Sequence, residues 1–577
     1  MDGVDRRAFC SLLAAATGVL SGCNSMSTNP TSGRPESNGR GVVVTTRSEL
    51  EAAFEDLSPG ETVYISEENA PYRTTDWLDI DVDDVTVVGP GVRTLIRPAA
   101  GANVGGFRIG HNRRCRGTVI RGVGYQGTPV EPRGASDRHH GIAVRDARNV
   151  TLERNRIRET YPRGHGDGGC GISVTRECSN VRIVDNRIHA FGDRGVQLGG
   201  ERIVVSGNEI ANGLDRAIAC DMWYPDHRNH TAESVSIFGN MLGNTVEGSL
   251  VGVARNSPRR SDHGYVNIFG NVGFGSHKSF CHIRGPRPVR NVSIQNNVSR
   301  QSTERLRTEE TTKFSGVAID GKGGGNLAVK NNELYDYSGH GVRINSTVDG
   351  LTVQNNTVSS PGIAGIRVIG DVDGVVSGNH VRDPAEAGIL LDGTSGVAVR
   401  GNDVRGAGTY GIVTRGSKSN ASTVIAGNYV VANDRNAEDG SFPGVLVDDR
   451  GVWVTGNAIR HPGAPAIAEG DGAGSNVFQG NWTGEERPWR ITSSTSRVLN
   501  NTPAVDVHRG LRTRSDRPTV SVEFDSPYAR PPRISFGRTA GGVRERSFET
   551  DGDGNYVGVT IRARNSDAPL DVFVDGM

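Results

Sequence analysis

His282, Arg284, Asp320, Arg343 and Arg367 all lie within short phrases of one type, aliphatic residues alternating with other residues, between positions 280 and 369. An imidazole, a carboxylate and several guanidinia on one run are the parts needed to remove a proton from carbon next to a carboxylate. Something must neutralise that carboxylate, a base must take the proton, and a donor must reach the leaving oxygen. Arg284, Arg343 and Arg367 suit the first task. Lys278, His282 or a desolvated Arg284 suits the second. Tyr224 or a loop histidine suits the third. Asp221 lies upstream in an equivalent phrase, next to Trp223 and Tyr224. Asp221 and Asp320 could instead help hold Ca²⁺, although no spacing here amounts to a calcium-loop signature.

The elements that position these side chains are short strands. The phrase Gly-apolar-x-apolar recurs as GISV (171–174), GVQL (195–198), GVRI (341–344), GIRV (365–368) and GILL (388–391). A second phrase, apolar-x-apolar-x-x-Asn-x-apolar, centres on Asn155, Asn186, Asn208, Asn240, Asn271, Asn297, Asn332, Asn356, Asn379, Asn402, Asn428 and Asn457, with weaker copies at Asn481 and Asn501. Each unit therefore holds three period-2 strands separated by tight turns. One such unit cannot bury its apolar side alone; stacking units in parallel, about 4.8 Å apart, buries a continuous column. The recurrent Asn suits a left-handed turn whose amide bonds to neighbouring units.

This pattern resembles the pectate-lyase-like right-handed parallel β-helix superfamily, over about residues 41–500. The resemblance implies an all-β solenoid with a polysaccharide partner bound beside the Gly-apolar strands. It leaves lyase, epimerase, hydrolase and non-catalytic binder open. RGPRPVR (284–290) is similar to the Arg/Pro motif of pectate lyases, but its spacing is off by one.

Alternation assigns side chains to faces. With the aliphatics inward, one outward position reads Ser173, Gln197, Ala219, Gly252, His282, Ala318, Arg343 and Arg367. The next outward position reads Thr175, Gly199, Asp221, Ala254, Arg284, Asp320, Asn345 and Ile369. Intervals of 31, 32, 31 and 35 residues, at Asn155–186, Asn208–240, Asn240–271 and Asn297–332, mark added loops, expected to precede the Gly strands and to wall a groove. Trp223 and Tyr224 offer faces on which sugar rings pack. A hydrolase needs two carboxylates roughly 5–9.5 Å apart. Asp221 and Asp320, three units apart, stand roughly 14 Å from each other, so a loop acid such as Asp193, Asp215 or Asp262 would have to complete a pair. The reading favoured by these residues is a lyase or epimerase acting on an acidic glycan. An adhesin and a glycoside hydrolase are the alternatives. Farther along, the first outward position turns apolar at Leu390, Val413 and Leu446, which predicts a cover, either the C-terminal tail or a second copy in a homo-oligomer built through the C-terminal coils.

Bulk composition agrees with a solenoid. Of 577 residues 79 are Gly, while hydrophobic residues reach 35% and aromatics only 6%, which is poor material for a large compact core. Formal net charge is zero, so no overall field draws the chain to nucleic acid. Only five of the 65 basic residues are Lys, so positive charge is carried by forks that fit carboxylates bidentately. Ser48 and Glu51 read as a capping box opening a helix whose Leu50, Ala53, Phe54 and Leu57 share one face and plug the array. Cys115, Cys170, Cys178, Cys220 and Cys281 form an odd, irregular set, read as small core residues rather than a disulfide framework.

Four segments follow: a signal peptide over 1–23, a polar tether over 24–40, the β-helix over 41–504 and a small antiparallel β-sandwich over 505–577. In the sandwich, Asp551-Gly552-Asp553-Gly554-Asn555 reads as a hairpin turn. Asp5-Arg6-Arg7-Ala8-Phe9 is a twin-arginine pattern, and Leu20-Ser21-Gly22-Cys23 resembles a lipobox, which implies lipidation of Cys23, a membrane partner through that anchor, and an exported location. Replacing Arg6 and Arg7 with Lys is expected to block export, and Cys23→Ala to release the exported protein from the membrane. Unchanged membrane and soluble fractions for both variants would refute this address.

Overall fold

A computed structural model describes residues 41–575, apart from 92, 94, 103, 128–138, 161–168, 223–229, 232, 255–264, 286–288, 302–313, 322–323, 417–421, 432–441, 461–464, 484–488, 494, 500, 502–504, 513–518, 529–530, 537–542, 553 and 564–568. The signal peptide, Cys23 and the tether lie outside the described residues, as do Trp223 and Tyr224.

Each coil supplies one strand before its recurrent Asn, one after it, and one Gly-apolar strand. They stack into three parallel sheets of 19, 15 and 16 strands, named below the pre-Asn, post-Asn and Gly sheets. Residues pair with their counterparts one coil on: Val181 with Ile203, Ile203 with Val235, Val235 with Val266. Alternation keeps one set of side chains inside along the whole array, as the Gly-sheet row Ile172, Val196, Ile218, Val251, Cys281, Val317, Val342 and Ile366 shows, every member at 0% exposure. The all-β solenoid expected from the repeat is the fold observed.

The recurrent asparagines form a ladder through one corner. In each, the backbone N–H and the side-chain amide both donate to the Oδ1 of the next Asn, as from Asn332 to Asn356 (3.0 and 2.9 Å) and from Asn356 to Asn379 (2.9 and 2.9 Å). The amide also donates to a carbonyl of the preceding coil, from Asn356 to Val329 at 2.8 Å. Asn481 and Asn501, weak as sequence copies, join the ladder fully. One expectation is corrected. The left-handed residue is not the ladder Asn but the one before it, such as Asp185 (φ 54°), Gly207 (φ 66°) and Asn331 (φ 53°). That residue makes the corner, and the Asn after it is free to point inward; hence the frequent Gly-Asn, Asn-Asn and Asp-Asn pairs.

Helix Arg47–Glu55 closes the N-terminal end. Its N-cap is Thr46, which forms the capping box with Glu49, in place of the expected Ser48 and Glu51. Ser48 already lies inside the helix, and Glu51 pairs with Arg47 at 3.0 Å. Leu50 and Phe54 join the core, with Phe54 against Phe107 at 5.8 Å between ring centroids. The last pre-Asn strand is Arg497–Leu499. Beyond it two three-stranded antiparallel sheets share one core of Val522, Phe524, Ile534, Val559, Ile561, Val572 and Val574, so this tail is a small sandwich. Asp551 and Asn555 close its hairpin turn. All five described cysteines are buried and none forms a disulfide. Four join the solenoid core, but Cys170 turns outward toward Gln197 and Asp193. Burial pushes the Cys115 and Cys178 thiols up to about 11 and Cys281 higher still, so none of these three is a ready nucleophile. Among the described residues no helix is long and apolar enough to cross a membrane.

Asn356→Ala removes the acceptor of two buried donors on Asn332 and the donor to Val329. It is expected to lower stability by about 2–4 kcal/mol. Gln479→Ala, exposed on the same array, should stay within about 0.5 kcal/mol. Denaturant unfolding of both variants checks the contrast.

Candidate functional site

The Gly sheet positions the residues singled out above. Pairing runs Gly252–His282–Ala318–Arg343–Arg367 in one outward column and Ala254–Arg284–Asp320–Asn345–Ile369 in the next. The inserted segments leave from both edges of this sheet. Those at 128–138, 161–168 and 302–313 precede Gly strands as expected, whereas 223–229 and 255–264 follow them.

Three of the expected residues come together. Asp320 Oδ2 accepts from His282 Nε2 at 2.9 Å and from Arg343 Nη2 at 2.6 Å, with all three side chains between 26% and 29% exposed. Long side chains reach each other diagonally across adjacent strands, which is how His282 and Arg343, on the two flanking coils, meet one carboxylate. Burial pushes the Asp320 carboxyl up, but the His282 hydrogen bond and the Arg343 charge outweigh it and hold the group below the usual carboxylate range. An ionised Asp320 only accepts hydrogen bonds, so His282 Nε2 must be the donor, and in the neutral imidazole Nδ1 then carries the lone pair. Arg284, one residue beyond Ile283 on the same outward face, is exposed and makes no ion pair among the described residues.

Other expectations are corrected. Arg343 and Arg367, expected to stand free for a ligand carboxylate, are committed to carboxylates of this chain, Arg343 to Asp320 and Arg367 to Asp392 at 2.7 Å. The sequence lists neighbours along a strand, but these partners lie on neighbouring coils. Each keeps a buried Nε–H with no acceptor among the described residues. Lys278 occupies the turn before the Gly strand with its ammonium 5.7 Å from the Phe314 ring centroid, and no described contact brings it to His282. Asp221 leaves the Gly sheet: Asp221–Met222 pairs antiparallel with His230–Thr231 in a separate hairpin. The apolar strip at Leu390, Val413 and Leu446 is covered from within the coils, by Ile363, Ala364, Ala387 and Tyr410, the last edge-on to Phe442 at 5.1 Å. The strip thus needs neither the tail nor a second copy as cover. Among the described residues no group of three or more His, Cys, Asp or Glu could hold a metal ion.

Two features escaped the sequence reading. Alternation continues one step backwards, across the Gly171, Gly195 and Ala217 that open these strands, and turns Cys170, Arg194 and Arg216 outward as well. Arg194 lies 3.4 Å from Asp193 and 3.8 Å from Asp215, and Arg216 lies 3.7 Å from Asp215. Counting back two from each buried aliphatic would have found this column. Farther upstream Arg108 grips Asp79 with two bonds, at 2.6 and 2.7 Å, beneath the Trp77 ring. Those residues precede the clear repeats, so no pattern pointed to them.

Fold and face together define a right-handed parallel β-helix with a polar, ion-paired face on its Gly sheet. The family described as "Right handed beta helix region" matches residues 116–298 and 315–486, and the chain belongs to it. No curated protein matches the chain. It is similar to a crystal structure of an alginate lyase from Paenibacillus sp. str. FPU-7, with 14% identity over 62% of this chain and 99% of that one and a TM-score of 0.35. It is similar to the catalytic domain of a GH87 α-1,3-glucanase in complex with tetrasaccharides, with 13% identity over 77% and 71% and a TM-score of 0.43. It is also similar to the tailspike of Escherichia coli bacteriophage HK620 in complex with a pentasaccharide, with 10% identity over 92% and 90% and a TM-score of 0.36.

Because Asp320 ionises at lower pH folded than unfolded, its contribution is complete above the ordinary aspartate value of 3.8 and is lost as pH falls through the lowered value. Asp320→Asn should reduce stability at neutral pH by about 1–3 kcal/mol. It should also flatten the loss of stability below about pH 4. Unfolding midpoints from pH 7 to pH 2 for both proteins check the sign. An unchanged acid limb would remove the ion-pair account.

Proposed function

We propose that this chain is an exported protein, lipid-anchored at Cys23, whose Gly-sheet face binds an acidic polysaccharide and acts on it as a lyase or epimerase. The observation that carries the reading is the His282–Asp320–Arg343 arrangement. A carboxylate locked by an arginine fixes the tautomer and orientation of an imidazole on a ligand-accessible face, as an orienting acid does for a catalytic histidine.

In this reading His282 Nδ1 takes the C5 proton of a uronate unit. The C–H electron pair moves toward the carboxylate, where Arg284 offsets the developing charge. In elimination the pair then forms the C4–C5 double bond as the C4–O bond breaks, and the leaving oxygen takes a proton from the imidazolium of His282 or from water. In epimerisation water delivers a proton to C5 from the opposite face, and His282 gives its proton up to solvent. Asp320 positions and does not itself exchange a proton. Hydrolysis fits less well, since it needs a carboxyl that carries a proton, and Asp320 is held ionised.

The test is incubation of the 41–577 protein with acidic and neutral polysaccharides, following unsaturated-uronate absorbance, reducing ends, epimer composition and binding. New absorbance or changed epimer composition supports the reading. Reducing ends alone would point to a hydrolase, and binding with no turnover to an adhesin. Arg284→Ala is expected to weaken acidic-glycan binding at least about tenfold. His282→Ala should slow turnover by about 10²–10⁴-fold. Arg415→Ala, on a distant coil, should do neither. If Arg284→Ala and His282→Ala both leave binding and turnover intact in a folded protein, this face is not the site.

A further inference from the structure

Charges on the outward columns of the Gly sheet cancel one another almost everywhere. Arg343 is neutralised by Asp320 and Arg367 by Asp392, at 2.6 and 2.7 Å. Toward Gly252 the sheet is covered: a Cβ built on that glycine would meet Arg216 Cδ at 2.3 Å, and Arg216 is itself paired with Asp215. Lys278 stands off these columns, in the turn beside Phe314. Between Gly252 and Asp392, Arg284 is therefore the one outward cation of the Gly strands without a carboxylate partner among the described residues. Its column continues through Asp320 and Asn345, one and two coils away. This column is open to solvent, since Arg284 and Asn345 are exposed and the Asp320 side chain is 26% exposed. His282 and Arg343 both bond Asp320 Oδ2, whereas Oδ1 accepts no hydrogen bond among the described residues.

We propose, resting on the function proposed above, that the preferred glycan alternates acidic and neutral units: the uronate sits over Arg284, and the next sugar, over Asp320, bears only hydroxyl or amide groups. Coils repeat about every 4.8 Å, close to the length of one sugar. A chain leaving Arg284 along the open column thus sets its next unit over Asp320. There it meets Oδ1, an acceptor whose charge repels a second carboxylate. A hydroxyl or an acetamido N–H donates to it instead. Arg343 offers a second carboxylate no compensation. Its charge is already balanced, and an anion drawn to its remaining donors would stand beside the carboxylate it holds. The unit after that meets Asn345, whose uncharged amide donates to a carboxylate or a hydroxyl alike. Asp320 thus has two duties, orienting His282 through Oδ2 and selecting the neighbouring unit through Oδ1.

Calorimetry on the 41–577 protein compares size-matched oligosaccharides of two kinds. Unsulfated hyaluronan and chondroitin alternate uronate with neutral N-acetylhexosamine, whereas oligogalacturonides, oligomannuronates and oligoguluronates carry a uronate on every unit. Wild-type protein should bind one of the alternating glycans at least about tenfold more tightly than any contiguous uronate. That comparison needs no variant. Asp320→Asn removes the charge at Oδ1 and should narrow the affinity ratio about tenfold by tightening the contiguous uronates, besides lowering kcat through the loss of His282 orientation. A folded Asp320→Asn that loses kcat on every glycan yet keeps the wild-type affinity ratio would show orientation of His282 alone, and overturns the inference. Wild-type protein that binds a contiguous uronate as well or better, with function lost in Arg284→Ala and His282→Ala, also overturns it and leaves the proposed function standing. Wild-type protein that binds none of these glycans overturns both.

Discussion

Each coil of this protein passes one amide oxygen to the coil before it, and the array depends on that exchange. The ladder from Asn155 to Asn501 is buried throughout, and every Oδ1 beyond the first accepts two donors from the preceding ladder Asn. A polar group buried without partners costs about 1–3 kcal/mol, so a coil that slipped by one residue would strand several at once. The ladder is thus a registration device as much as a source of stability. It sits at the corner between pre-Asn and post-Asn strands, just after a residue in the left-handed conformation. That is why glycine, asparagine and aspartate crowd the position before it.

Registration at that corner propagates to the face that carries the polar site. With coils locked in phase, equivalent residues of successive Gly strands stand in columns, and a side chain's neighbours become those of the adjacent coils. Charge is then settled locally. Asp320 takes His282 and Arg343, and Asp392 takes Arg367. A chain with no net charge still presents specific charge where pairing is incomplete, as at Arg284. The same columns explain why apolar outward residues do not remain bare. Leu390 and Val413 are sealed by turns of their own and of the preceding coil, through Ala364, Ala387 and Tyr410.

The face also divides along its length. Around Gly252 small residues let a long side chain from the turn lie flat. Around Ala318 a small residue separates the His282 coil from the Arg343 coil. Farther on, aliphatics and turn residues close the surface. Position along the solenoid axis thus sets what the surface can meet.

By itself the sequence determined the architecture, because period-2 alternation, glycine turns and a recurring Asn are local signals repeated often enough to outweigh any one ambiguity. It determined which residues face outward on the Gly strands, and so put His282, Arg284, Asp320 and Arg343 on one surface, since side-chain direction in a strand is a matter of counting. Tertiary structure alone decided which of those charges are spent on each other. Asp320 and its two partners are separated by 38 and 23 residues, and nothing along the chain tells Arg343 that a carboxylate stands one coil away. It also decided where strands end. Asp221 keeps the alternation yet turns off into a hairpin, while Arg216, written in what reads as a loop, returns across the sheet. Pairing between coils and the path of a turn depend on atoms distant in sequence, and local pattern carries no record of either.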